Sequence, residues 1–378
     1  MDFRLSDQQR LLVTIARDFL DKQASTAVAP AGMPHERGLP ADVWREMARL
    51  GWPGLLVPQA LGGSGGSMLD VVLLVEEMGR ACLGGPYVGS AVAATALLLR
   101  GDPRARQWLP AMALGERIVT LAVAEEGASF APDSLAMAVD APGRLEGVKL
   151  FVRDADVADT LIVAGRGAGG LNVALVPRDR AGVTVTAVAL MSGENVFAVE
   201  FRNVAIDTSD LVGSPGRGLD LLRAALRAGA LARAAEMVGA AQRVLELAVE
   251  HAKVRVQSGR PIGTFQAIQH ACADLLRNVE GARWIVRSAA WNADCPDAGG
   301  ADSRAADTAV ATAKAWTGEA CLAVARRAHQ VFGAIGYCEE HPLHRFHKQI
   351  LASSVDFGDA STHLETVAGA IGLAPDAV

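Results

Sequence analysis

The hydrophobic period of this chain changes twice, and that switch limits the folds open to it. Up to about residue 118 the apolar residues recur at helical spacing. Leu11, Leu12, Ile15, Phe19 and Leu20 follow a candidate N-cap at Ser6; Val43, Met47 and Leu50 precede Gly51; Val71, Leu74, Val75 and Met78 form a third set. From about 119 to 212 the period drops to two. Val148, Leu150 and Val152 alternate with Lys149 and Phe151, and Phe197, Val199 and Phe201 alternate with Ala198 and Glu200. Gly167-Ala168-Gly169-Gly170 marks a hairpin turn. From about 213 the helical period returns. A long helix over 219–256 carries the stripe Val238, Ala241, Leu245, Ala248 and Ala252; two more helices flank the loop 294–300, and a last one begins near Leu343. The predicted architecture is α+β and multidomain: an N-terminal all-α domain (1–118), a middle antiparallel β-domain (119–212) and a C-terminal helix bundle (213–378).

Hydrophobic residues make up 51% of the 378 and charged residues 21%, a globular composition with enough chain for sizeable cores. The net charge is −6 and the Lys and Arg residues are scattered, which excludes the basic patch of a nucleic-acid binder. Cys82, Cys272, Cys295, Cys321 and Cys338 form no C-x-x-C pair and read as reduced thiols. Met1-Asp2-Phe3-Arg4 lacks the pattern of a signal peptide, and no apolar stretch reaches membrane-spanning length. A soluble cytoplasmic protein is expected.

Gly62-Gly63-Ser64-Gly65-Gly66-Ser67 lacks the Lys-Ser/Thr of a phosphate loop and reads as a connection. His341, His344 and His347 would share a helix face, yet no carboxylate or Cys matches their spacing and Pro342 interrupts them; no metal is expected. The segment from Arg255 to Gln266 has two readings: a basic helix end followed by a turn, or a guanidinium and helix N-terminus that bind a pyrophosphate. Gln330 to Tyr337 likewise reads as glycines that end a helix, or as backbone that approaches a ligand.

Taken together, these segments resemble the acyl-CoA dehydrogenase family over nearly the whole chain. The resemblance rests on 44–51, 54–58, Gly62-Gly63, 76–80, Lys149-Leu150-Phe151, Ala158-Asp159, 255–266 and 330–336. It implies a helical domain, a β-barrel-like domain and a C-terminal four-helix bundle. It also implies FAD bound between β-domain and bundle and reaching across a dimer interface, oxidation of an acyl-CoA to the 2,3-enoyl-CoA, and an electron-transfer flavoprotein as acceptor. On this resemblance Arg255 contacts the FAD pyrophosphate of the neighbouring subunit, with Gln257, Ser258, Ile262 and Gln266 along the same cofactor. Gln330, Val331, Gly333 and Ala334 meet its adenine end, and Ala124, Phe151 and Arg153 fall where the flavin ring is contacted.

The departures are specific. The family's Thr-Glu-Pro-Gly-Ala-Gly-Ser-Asp loop is here Ala124-Glu125-Glu126-Gly127-Ala128-Ser129-Phe130, and its Trp-Ile-Thr strand is Phe151-Val152-Arg153. Ser258 replaces a Phe, and Gly333-Ala334 replaces Gly-Gly. The family's catalytic Glu, just before a Gly, is Phe357, which cannot accept a proton; the alternative base position falls on Gly229. Asp359 and Asp356 are the remaining candidate bases, and Glu236 lies on the long helix. Three readings follow: a dehydrogenase with a relocated base, a non-catalytic partner subunit that completes the FAD site of a base-bearing paralogue, and a flavin oxidase or oxygenase on the same scaffold. The assembly is a homo-oligomer or a heterotetramer with that paralogue.

Overall fold

The computed structural model describes residues 4–27, 39–127, 130–294 and 304–373. Ala128, Ser129, Cys295 and most of the 294–300 loop lie outside the described residues. In chain order the elements are α1 (Asp7–Ala27), α2 (Ala41–Arg49), α3 (Met68–Arg80), α4 (Thr95–Arg100), α5 (Pro103–Arg106), α6 (Leu109–Ala113), β1 (Val119–Ala122), β2 (Gly143–Arg153), β3 (Thr160–Gly167), β4 (Gly170–Pro177), β5 (Val183–Val188), β6 (Val196–Ile206), α7 (Gly218–Val254), β7 (Val256–Gln257), β8 (Arg260–Pro261), α8 (Gln266–Asp294), α9 (Arg304–Phe332), α10 (Leu343–Val355) and α11 (Ala360–Ala370). Contacts divide the chain into two compact units: 1–35, 68–83 and 230–378 form one, 36–67 and 84–229 the other. No described helix is long and apolar enough to cross a membrane.

The first unit is helical. Ser6 starts α1 as expected: its hydroxyl accepts from the Gln9 N–H (3.1 Å) while the Gln9 side chain accepts from the Ser6 N–H (3.0 Å), a reciprocal capping box. Leu20 is buried, but Leu11 and Ile15 are exposed, so the buried face of α1 is narrower than its apolar pattern. The predicted stripe on α7 is buried throughout. α3 crosses α7 at a pair of glycines. A Cβ on Gly79 would overlap the Glu236 carbonyl oxygen, and one on Gly239 would overlap that of Glu76, so only Gly permits this approach. Ion pairs tie α3 to two neighbours: Arg283 Nε of α8 to Glu76 at 2.7 Å, and Arg80 to Glu246 of α7 at 3.0 Å.

The second unit is built on two three-stranded sheets, ordered β1-β3-β4 and β2-β6-β5. Gly167 to Gly170 turns β3 into β4, as expected. The pairings within these sheets are antiparallel except β1 with β3, which is parallel and which alternation alone does not reveal. Simple alternation fails on β2 for a definable reason: its register against β6 shifts between Lys149 and Val152. Such a bulge re-aims side chains. Lys149 is therefore 0% exposed while Val148 faces solvent. The ammonium is satisfied by the Val123 carbonyl (3.0 Å), the Ala164 carbonyl (2.7 Å) and Glu125 (2.6 Å). The 62–67 loop folds back on the 54–57 segment: Ser64, Gly65 and Gly66 donate their N–H groups to the carbonyls of Gly54, Val57 and Leu55.

Candidate functional site

Within the helical unit, α10 ends at Val355 and α11 begins at Ala360. The turn between them requires positive φ at Phe357 (57°) and Gly358 (97°). A bulky residue in the left-handed region costs about 1–3 kcal/mol and persists only where its surroundings fix it. Here they do. The Phe357 carbonyl lies 3.1 Å from His363 Nε2, and Lys314 Nζ donates to the carbonyls of Ser354 (2.8 Å) and Gly358 (2.7 Å). Burial pushes Lys314 down to about 8 and His363 down to about 4.

The carboxylates beside Phe357 are committed to the same turn. Asp359 is the N-cap of α11, accepting from the Thr362 N–H (2.9 Å) and hydroxyl (2.8 Å). The Thr362 N–H, then its hydroxyl, hold the Asp359 carboxyl below its ordinary value. Asp356 is buried and accepts from Arg233 Nε at 2.9 Å. Arg233 Nη1 also donates to Glu236 at 2.8 Å, and the Ser353 hydroxyl donates to Glu236 at 2.6 Å. A general base for an α-proton needs its carboxyl raised by burial and free to take the proton. Neither expected candidate has that environment: one is a depressed helix cap, the other is locked to a guanidinium.

In the β-unit, the residues expected beside a flavin ring are Ala124, Phe151 and Arg153. Ala124 is buried, and its carbonyl accepts from the Leu150 N–H at 2.8 Å. Phe151 sits at φ 54° and is 39% exposed. The Arg153 guanidinium is held by Glu194 at 2.6 and 3.3 Å, and the Ser192 hydroxyl orients that carboxylate at 3.0 Å.

The segment after α7 is organised differently. Residues 253–260 are all exposed. β7 and β8 form a two-residue hairpin, with positive φ at Ser258 (51°) and Gly259 (78°), the pairing a tight type I′ turn demands. The Ile262 N–H donates to the Arg255 carbonyl at 2.8 Å and closes the base of the hairpin. The Arg260 guanidinium lies 4.3 Å over the Phe265 ring, and Gln266 opens α8. No ion pair of Arg255 is found among the described residues. At the end of α9, Val331 is buried while Gln330 and Ala334 are exposed, and Gly333 takes φ 67° where the helix stops. The His251 ring stacks on Phe332 at 4.5 Å, which brings this segment and the hairpin to the same end of the unit.

Family models decide the kinship. The acyl-CoA dehydrogenase N-terminal domain matches residues 6–116, and the C-terminal domain matches 216–372. The acyl-CoA dehydrogenase IpdE2 of Mycobacterium tuberculosis is 32% identical over 349 residues, covering 92% of each chain. The chain belongs to the acyl-CoA dehydrogenase family. A chain of the ChsE4–ChsE5 complex from Mycobacterium tuberculosis superposes with a TM-score of 0.86 and 29% identity, covering 99% of this chain and 100% of that one. The FAD complex of PigA superposes with a TM-score of 0.85 and 25% identity, covering 99% and 100%. The helical and β parts of this family member are those of an acyl-CoA dehydrogenase fold. In this chain the candidate site carries the Arg233–Asp356–Glu236 cluster, Lys314 and the Arg153–Glu194 pair. Sequence reasoning missed Arg233, Lys314, His363 and Glu194. The available signal was weak: Arg233 and Glu236 stand three apart on one helix, and Lys314 interrupts an Ala-rich apolar run.

Proposed function

We propose that this chain is the non-catalytic subunit of a heteromeric acyl-CoA dehydrogenase. Its base-bearing paralogue oxidises an acyl-CoA thioester to the 2,3-enoyl-CoA, and this chain supplies residues that complete the paralogue's FAD site. The observation that supports this reading is the 356–359 turn: both carboxylates beside Phe357, the residue that the resemblance puts at the base position, are committed to other groups.

The residues present fit FAD unevenly. The dinucleotide-gripping part fits, because Arg255 is an exposed guanidinium beside a rigid hairpin, and charge-assisted bonds to phosphate favour that geometry. Arg255, Gln257, Ser258, Ile262 and Gln266 would hold the pyrophosphate stretch, and Gln330, Val331, Gly333 and Ala334 the adenine end. The ring-contacting part does not fit as well: Ala124 has no hydroxyl, and Arg153 is occupied by Glu194. FAD, when bound, supplies the hydride acceptor for the β-carbon. The ChsE4–ChsE5 neighbour, by its name an assembly of two different chains, supports a heteromeric reading. An electron-transfer flavoprotein is the acceptor class proposed for the assembled enzyme.

The test is flavin content and bleaching. Purified alone, the chain is expected to be colourless or poorly loaded. Co-expressed with a paralogue that carries Glu before the matching Gly, it should yield a yellow complex bleached by acyl-CoA. Reduction of bound FAD by acyl-CoA in the isolated chain would overturn the proposal.

A further inference from the structure

Five histidines meet at one end of the helical unit. His251 comes from α7, His329 from α9, His341 from the 338–342 turn, and His344 and His347 from α10. Four of the rings fall in two sets: His251 stacks on Phe332 and Phe332 meets His341, each at 4.5 Å, while His329 stacks on Tyr337 at 4.7 Å and lies 5.0 Å from His347. Together they clasp the 333–342 segment that joins α9 to α10.

Two hydrogen bonds of this cluster need an unprotonated imidazole nitrogen. His341 Nδ1 accepts from the N–H of Leu343, the first residue of α10, at 3.2 Å. A protonated Nδ1 has no lone pair for it. His329 Nε2 and His347 Nδ1 are 2.9 Å apart, so one donates and the other accepts. If both rings were charged, two N–H groups would face each other. His344 Nε2 donates to the Glu339 carbonyl at 3.1 Å, and its Nδ1 is buried with no hydrogen-bond partner among the described residues.

The surroundings also disfavour charge. Arg255 faces the cluster from the end of α7, Arg326 from α9, and Arg345 and Lys348 from α10; Glu339 is the carboxylate beside His344. Burial first, then these cations and the other rings, hold all five histidines below their ordinary value.

We propose that segment 333–342 is a proton-operated latch, closed while the histidine cluster is neutral and released when it takes up protons in mildly acidic solution. Once open, the imidazoles titrate near their ordinary value of about 6.5. The open form then binds more protons than the closed one. Closure is complete above that value and is lost as pH falls through the lower closed-state values, by about tenfold per pH unit for each proton taken up. One consequence rests on the partner-subunit reading: Gln330 and Val331 adjoin the latch and Gly333 and Ala334 lie in it, so opening it should release FAD from the assembled complex.

Hydrogen–deuterium exchange on the whole flavin-free chain, corrected for intrinsic rates, tests the latch itself. From pH 7.5 to 5.5, peptides covering 333–343 should lose protection about tenfold or more, while α8 stays protected. The double variant His341→Asn/His347→Asn keeps an acceptor oxygen at each Nδ1 position but removes two of the five titrating groups, and should weaken the response. Unchanged protection in the wild-type chain, or an undiminished response in the double variant, would overturn the latch. Imidazole C2–H titrations by NMR of the wild-type chain give an independent reading: midpoints at the ordinary value for the clustered rings would also reject it. FAD retention is measured separately on the co-expressed complex. An opened segment that still retains FAD counts against the partner-subunit reading and not against the latch.

Discussion

Two turns of the helical unit begin alike and diverge. Residues 356–359 and 255–261 each follow a helix of the bundle, and each places a non-glycine residue at positive φ, Phe357 at 57° and Ser258 at 51°. In the first turn the polar groups are bound internally, to Arg233, Lys314, His363 and Thr362. In the second, the Arg255 guanidinium and two polar side chains stand exposed around a hairpin held by backbone pairing and by Arg260 over Phe265. The contrast separates what holds this chain together from what it offers to something else. Substitutions in the first turn should change stability, and those in the second should change binding.

The largest expected effect comes from Arg233→Ala. It would leave Asp356 and Glu236 buried without their shared cation, and breaking a buried pair in this way costs about 3–5 kcal/mol. Urea unfolding should show it as a lower midpoint with little change in slope. A loss within the range of an ordinary surface substitution would mean the cluster is not what fixes the turn.

Lys314 gives a comparable effect confined to one pH window. The unfolded lysine titrates at 10.5, whereas burial brings it to about 8 in the fold. Between those values the unfolded chain binds more protons, so the contribution of this group to stability rises with pH, by up to about 3 kcal/mol across the window. Lys314→Met should remove that rise. Unfolding midpoints of both proteins at pH 7.5, 9 and 10.5 measure it; a difference between them that stays constant with pH would show that the lysine does not titrate there.

Asp359→Ala should cost about 1 kcal/mol, the worth of an N-cap, and Asp359→Asn should restore most of it because Asn caps equally well. Thermal unfolding of the two variants decides whether the carboxylate acts as a cap. If instead Asp359→Asn were as destabilising as Asp359→Ala, the charge and not the cap would be the stabilising feature.

How much of this was legible in the sequence depends on the distance between partners. The buried stripe of α7, the N-cap at Ser6 and the turn after α7 follow from residues within a few positions of one another. The 356–359 turn does not. Arg233 meets Asp356 across 123 positions and Lys314 meets Ser354 across 40, so each reads locally as a lone charge on an Ala-rich helix. The inward turn of Lys149 was hidden for another reason: a bulge in β2 shifts the register that a period-two pattern assumes to be constant. Asp356 and Asp359 were legible as carboxylates on either side of Phe357-Gly358, but their roles required their partners.

Arg255→Ala should have the smallest effect on stability and the most selective effect on binding. The side chain is exposed and forms no ion pair among the described residues, so its truncation should move the unfolding midpoint by no more than about 0.5 kcal/mol. Charged hydrogen bonds to phosphate are worth about 1.5–3 kcal/mol, so the co-expressed complex should lose FAD affinity about ten- to a hundredfold. Arg260 provides the internal control. Its guanidinium stacks on Phe265, so Arg260→Ala should loosen the hairpin base and not remove a phosphate contact directly. Comparable FAD loss in both variants would indicate that hairpin rigidity matters more than the charge at 255. Unchanged affinity in Arg255→Ala would erase the distinction between the two turns, because the exposed one would then bind nothing.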